Sequence, residues 1–87
     1  MANYDIQIAR NVLKALKTLP TIDVKKIIAT IQALALDPFP NGCRKITGEK
    51  ATYRVRQGSY RVIYEIEDEK LRILILKIGH RKDVYKK

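Results

Sequence analysis

Residues 52–78 read TYRVRQGSYRVIYEIEDEKLRILILKI, and they decide the fold. In TYRVR, Tyr53 and Val55 fall on one side of an extended chain, with Arg54 and Arg56 on the other. In YRVIYEI, Tyr60, Val62, Tyr64 and Ile66 alternate with Arg61, Ile63 and Glu65. A period of two carried by β-branched and aromatic residues marks a strand with one buried face. LRILILKI is apolar on both sides, as a strand in the interior of a sheet is. The links QGS and EDEK are short and polar, which favours hairpins over crossovers, so the stretch predicts a three-stranded antiparallel meander.

Working outward, YDIQI places Tyr4, Ile6 and Ile8 on one face of a further short strand. Val12, Leu13, Leu16 and Leu19 then recur at helical spacing, and after Pro20 the pattern resumes as Val24, Ile27, Ile28, Ile31, Leu34 and Ala35. Two amphipathic helices meeting at TLPTID are expected. Pro20 suits a helix start, Asp23 lies in the first turn where the helix dipole favours an anion, and Asp37-Pro38 stops the second helix near Leu36. DPFPNGCRKITGEK, residues 37–50, has no sustained period and predicts a surface loop. The expected architecture is α+β, one domain spanning 1–87: an N-terminal strand, a two-helix hairpin, then the meander. The first strand joins one edge to make a four-stranded sheet, both helices cover one face, and the arginines occupy the other.

At 87 residues and 46% hydrophobic the chain has material for one modest core. Lys and Arg number 18 against 9 Asp and Glu, a net charge of +9 that phosphate backbones or an acidic protein partner would attract. Charge of this size also serves solubility, and composition leaves both readings standing. Cys43 is the only cysteine, so neither an internal disulfide nor a thiolate zinc site is expected, and a reducing cytoplasm suits the chain. No segment approaches the ~20 apolar residues that span a bilayer, and MANYDIQIARNVLKALK has no uninterrupted apolar core for export. No membrane partner is expected.

Alternation turns the basic residues into a candidate site. Arg54 and Arg56 share a strand face, Arg61 opens the next strand across the QGS hairpin, and GHR, residues 79–81, ends the last one. Guanidinium forks match phosphate oxygens and keep their charge, so a convergent set would bind a scissile phosphate and stabilise the charge it gains under attack. His80 adds a group that titrates near neutrality and Tyr85 a ring for base stacking. A solvated sheet face accounts for the strand arginines equally well at this point. Tyr4, Tyr53, Tyr60 and Tyr64 fall on faces expected to be buried, and Glu65, Glu67, Asp68 and Glu69 gather at a turn. Neither metal-ligand spacing nor a phosphate-binding glycine loop appears, and no cofactor is expected.

ITGEKATYRVRQGSYRVIYEIEDEKLRILILKIGHRKDVY, residues 46–85, resembles the C-terminal half of the RelE/ParE toxin superfamily, in particular the RelE-like messenger-RNA interferases. The resemblance implies a toxin of a type II toxin–antitoxin pair that enters the ribosomal A site and cuts the exposed codon without a metal. The ribonucleotide 2′-hydroxyl attacks its own phosphate. The implied partners are a cognate antitoxin protein, the ribosome and messenger RNA. Carried over by position, the basic pair of the family falls on Arg54 and Arg56, its next arginine on Arg61, the arginine after the last strand on Arg81 and the C-terminal tyrosine on Tyr85. The best-known RelE-like pattern has lysine at the first two of these positions. Arginine does not deprotonate in proteins, so proton transfer is expected to shift towards His80. The same departure keeps a ParE-like reading open, a DNA gyrase inhibitor without nuclease activity, beside an inactive basic domain that only binds antitoxin.

Overall fold

In the computed structural model, which describes residues 3–46 and 51–80, the chain runs through strand β1 (Asp5–Ile8), helices α1 (Arg10–Leu16) and α2 (Thr21–Leu34), and strands β2 (Arg44–Lys45), β3 (Thr52–Gln57), β4 (Tyr60–Glu67) and β5 (Arg72–His80). The strands form one sheet in the order β1-β5-β4-β3-β2. β1 runs parallel to β5 and the remaining neighbours are antiparallel. The α+β class, the meander and the helical pair stand as expected, but among the described residues the sheet has five strands where four were expected. The extra strand lies in the segment read as a loop. Arg44 pairs with Arg54 and Lys45 with Tyr53, and the Ile46 amide extends the ladder to the Thr52 carbonyl at 2.8 Å. Two residues have no period to read; β3 supplies the template that makes them a strand.

The helices start and stop for local reasons. Pro20 caps α2 with its φ already near the helical value, and Asp23 sits in the first turn. α2 ends at Leu34, two residues before the expected Leu36, and the Leu36 and Asp37 amides close a last turn onto the Ala33 carbonyl. Val12, Ile27, Ile31 and Leu34 are buried against Val55, Val62, Tyr64, Ile66, Ile73 and Ile75. Each fully buried aliphatic side chain stabilises by about 1.5–3 kcal/mol relative to exposure, so this layer supplies most of the driving force. Leu13, expected in the apolar stripe of α1, is 47% exposed. No helix among the described residues is long and apolar enough to cross a membrane.

Between β4 and β5 the register shifts once. Tyr64 pairs with Ile75, but Ile63 pairs with Lys77, so Leu76 is an extra residue on β5. Because successive side chains alternate, one extra residue exchanges the two faces of everything beyond it. Ile73 and Ile75 point into the core, and so does Ile78; Lys77 and Gly79 turn to the open face instead.

Candidate nucleic-acid interface

The open face of the sheet gathers its arginines by register. Arg56 stands directly across from Arg61, Arg54 across from Arg44, and Arg54 and Arg56 are two residues apart on β3. Gly42, Arg44, Arg54, Arg56 and Arg61 line a depression of about 300 Å³. Arg61 is only 8% exposed, so its charge lies within the surface. Arg56 is steadied by its Nε, which donates to the Gly58 carbonyl at 3.4 Å across the hairpin turn. That turn is tight because Gly58 takes φ +61°, in the left-handed region where a side chain would be strained. Gly42, at φ +87°, bends the chain into β2 and so delivers Arg44.

Of the residues expected to converge, Arg54, Arg56 and Arg61 do so. His80 does not. It pairs with Tyr60, and the two rings meet edge to face with centroids 5.6 Å apart. Tyr60 lies on the helix side, where its hydroxyl donates to Asp23 Oδ2 of α2 at 3.3 Å. Partial burial, with the Asp23 carboxylate second, raises the Tyr60 hydroxyl pKa above its ordinary value. The sheet therefore separates the His80 imidazole from the guanidinium pocket. The extra residue at Leu76 is the cause: in an unbroken alternation from Ile73 and Ile75, position 80 would share the face of Arg61. Arg81 and Tyr85 lie outside the described residues. Among the described residues, no three His, Cys, Asp or Glu side chains come close enough to hold a metal ion.

Four guanidinium groups on one face of a small sheet suit an anion with several phosphates, and the family comparisons bear on which. Residues 6–85 match the model for the ParE toxin of the type II toxin–antitoxin system parDE. A RelE1 toxin of Methanocaldococcus jannaschii is 35% identical over 86 residues, covering 95% of this chain and 96% of the relative. The chain belongs to the RelE/ParE family of type II toxins. Among solved structures, this RelE-like toxin is similar to a chain of the archaeal RelE–RelB complex from Pyrococcus horikoshii, with a TM-score of 0.79, 32% identity, and coverage of 91% and 96% of the two chains. A chain of the RelBE2 toxin–antitoxin complex from Mycobacterium tuberculosis gives a TM-score of 0.80 at 25% identity, with coverage of 93% and 94%.

Arg44 also lines the pocket, and sequence reasoning missed it. It lies in a segment without period, and nothing local distinguishes it from Lys45 beside it; only its pairing with Arg54 does. Arg72, by contrast, is engaged elsewhere on the open face of the toxin. Its Nε donates to Glu67 Oε1 at 2.6 Å, which holds the Glu67 carboxyl below the ordinary glutamate range. Among the described residues, the guanidinium cluster thus lies on β2, β3 and β4, whereas Arg72 on β5 is held in an ion pair.

Proposed function

We propose that this toxin is a ribosome-dependent endoribonuclease that cuts messenger RNA in the A site and so arrests translation. The observation that carries the reading is the pocket lined by Arg44, Arg54, Arg56 and Arg61. A codon phosphate bound there is held by fixed, permanently charged forks. When the 2′-hydroxyl attacks, it gives its proton to solvent water, a cyclic phosphate forms as the bond from phosphorus to the 5′-oxygen breaks, and the departing 5′-oxygen takes up a proton from water. The phosphoryl oxygens gain charge during attack, and donors already aimed at them lower the barrier; loss of one preorganised donor at a developing oxyanion costs about 2.7–4 kcal/mol. Arg81 and Tyr85 join the proposal through the family resemblance. His80 is proposed to orient the β4–β5 corner through Tyr60 rather than to move protons in the pocket. The basic face is proposed to be neutralised by an acidic antitoxin, as opposite charge speeds and steers association; a RelE–RelB complex from Pyrococcus horikoshii and a RelBE2 toxin–antitoxin complex from Mycobacterium tuberculosis support an antitoxin partner.

Primer extension on messenger RNA, with purified toxin and with or without ribosomes, tests the reading. New 3′ ends at the A-site codon, seen only with ribosomes, are expected. A second reading, binding to DNA gyrase without nuclease chemistry, is favoured by the description of the matched family model and by arginine at positions 54 and 56. Intact transcripts together with inhibited supercoiling would select it.

A further inference from the structure

We propose that Asn11 is a positioning residue: its side chain clamps the extra residue of β5 and thereby sets which groups the end of that strand presents to the arginine pocket. The parallel ladder between β1 and β5 ends at the pair Ile8 and Ile75. One residue later β5 carries Leu76, which has no partner on β4, and its carbonyl would be left out of the ladder. The first turn of α1 takes over. The Ala9 amide donates to the Ile75 carbonyl at 3.0 Å, and Asn11 Nδ2 donates to the Leu76 carbonyl at 3.1 Å. Two successive carbonyls of the irregular segment are thus bound by the N-cap residue and the first turn of α1. Asparagine is a poor helix former inside a helix because its amide competes for backbone groups, and here it is engaged across the gap to the strand.

The consequence reaches the pocket through register. Counting three residues on from the pair Tyr64 and Ile75 without an extra residue would bring Arg61 opposite Ile78; with it, Arg61 stands opposite Gly79. A β-branched side chain on the open face beside Arg61 is thereby replaced by a residue with no side chain. Ile78 turns into the core and His80 meets Tyr60. The extra residue therefore decides both the room around the most buried guanidinium of the pocket and the side of the sheet on which the histidine lies, and the clamp holds that residue in place.

The full chain with Asn11→Leu, which keeps the size but removes the donor, tests this against Asn11→Gln, which keeps a donor on a longer arm. Inorganic tripolyphosphate serves as the anion probe, titrated while the arginine Nε–H signals are followed by NMR. Asn11→Leu is expected to speed amide exchange at residues 76–79 by about tenfold or more, as local opening does when a backbone group loses its partner. It is also expected to weaken the Tyr60–His80 ring contact and to raise the Kd for tripolyphosphate about 3–10-fold, roughly the loss of one hydrogen bond's net contribution. Asn11→Gln should recover most of both effects. Deletion of Leu76, if it folds, should abolish the ring contact altogether. Unchanged exchange and ring contact in Asn11→Leu would overturn the clamp; faster exchange with unchanged anion affinity would overturn its effect on the pocket. The proposal rests on the arginine pocket being the site, but the probe needs no ribosome. A wild-type chain that binds tripolyphosphate yet leaves messenger RNA uncut would sink the nuclease reading and leave the clamp standing.

Discussion

Arg56 and Arg61 face each other as a cross-strand pair beside the β3–β4 hairpin, on the side of the sheet away from the helices. Like charges in that relation repel, which costs stability in the free protein and is relieved when an anion enters. Raising salt from about 10 mM to about 150 mM shortens the screening length from ~30 Å to ~8 Å. The melting temperature of the wild type is therefore expected to rise over that interval, and to rise less for Arg56→Gln. Calorimetry at the two salt concentrations checks this; an equal rise in both proteins would mean that the pair is not the source.

Arg61→Ala should lower single-turnover cleavage on programmed ribosomes by about 10²–10³, the loss seen when one preorganised donor is removed from a developing oxyanion. Circular dichroism should show the fold intact. Arg44→Ala, at the more exposed rim of the same pocket, should lose less, about tenfold, because an exposed charge is screened by solvent. Undiminished cleavage in both variants would remove the arginine pocket from the mechanism.

His80 separates the sequence expectation from the geometry. If it were a positioned acid or base, His80→Gln would slow cleavage by roughly 10²–10⁴. With the ring against Tyr60 on the helix side, a change within about threefold is expected instead, a loss of packing rather than of chemistry. Rates measured for wild type and variant at one saturating ribosome concentration distinguish the two outcomes.

Tyr64 is buried, and its hydroxyl donates to the Pro38 carbonyl at 2.7 Å. Burial, with Cys43 next in importance, raises its pKa well above the ordinary 10.0. A raised folded-state value means that the neutral form is the one the fold holds: its contribution is complete below pH 10 and is lost progressively as pH rises above it. Tyr64→Phe should cost about 1 kcal/mol at pH 7, the net contribution of one hydrogen bond, and should flatten the alkaline decline. Urea unfolding at pH 7 and above pH 10 tests both; an unchanged alkaline slope would assign the decline to another group.

Glu67 carries the opposite sign. The hydrogen bond from Arg72 lowers its pKa, so its contribution is present above the ordinary glutamate value and falls away as pH drops through the lowered one. Glu67→Gln should reduce the loss of stability on acidification without changing cleavage, because the ion pair lies at the far end of the sheet from the arginine pocket. A Glu67→Gln protein that loses stability as steeply as wild type in acid would show that the ion pair contributes nothing there, as exposed pairs often do.

Much of the fold was legible in short windows. The alternation of Tyr60, Val62 and Tyr64 and the helical recurrence of Ile27, Ile31 and Leu34 each declare a buried face within a few residues; Tyr60 is partly buried and the other five side chains are buried. Arg54, Arg56 and Arg61 were found by the same alternation, because a strand of one-sided apolarity leaves its other side to be read directly. Arg44 was not, since its strand is two residues long and exists only against β3.

What a residue pattern settles is therefore which side of its own element a side chain occupies, for the period of a helix or strand is set by the local backbone. Element order, the two-helix layer, the meander and the basic strand face all followed from that. Tertiary structure alone decided the fifth strand, the place of Arg44, the extra residue at Leu76 and the side of the sheet on which His80 lies. Each depends on pairing between segments far apart in the chain. LRILILKI could not announce its own irregularity: with apolar residues at both parities, a shift by one residue leaves its pattern unchanged, and the faces of Lys77, Ile78, Gly79 and His80 are settled only where β4, β1 and the first turn of α1 meet it.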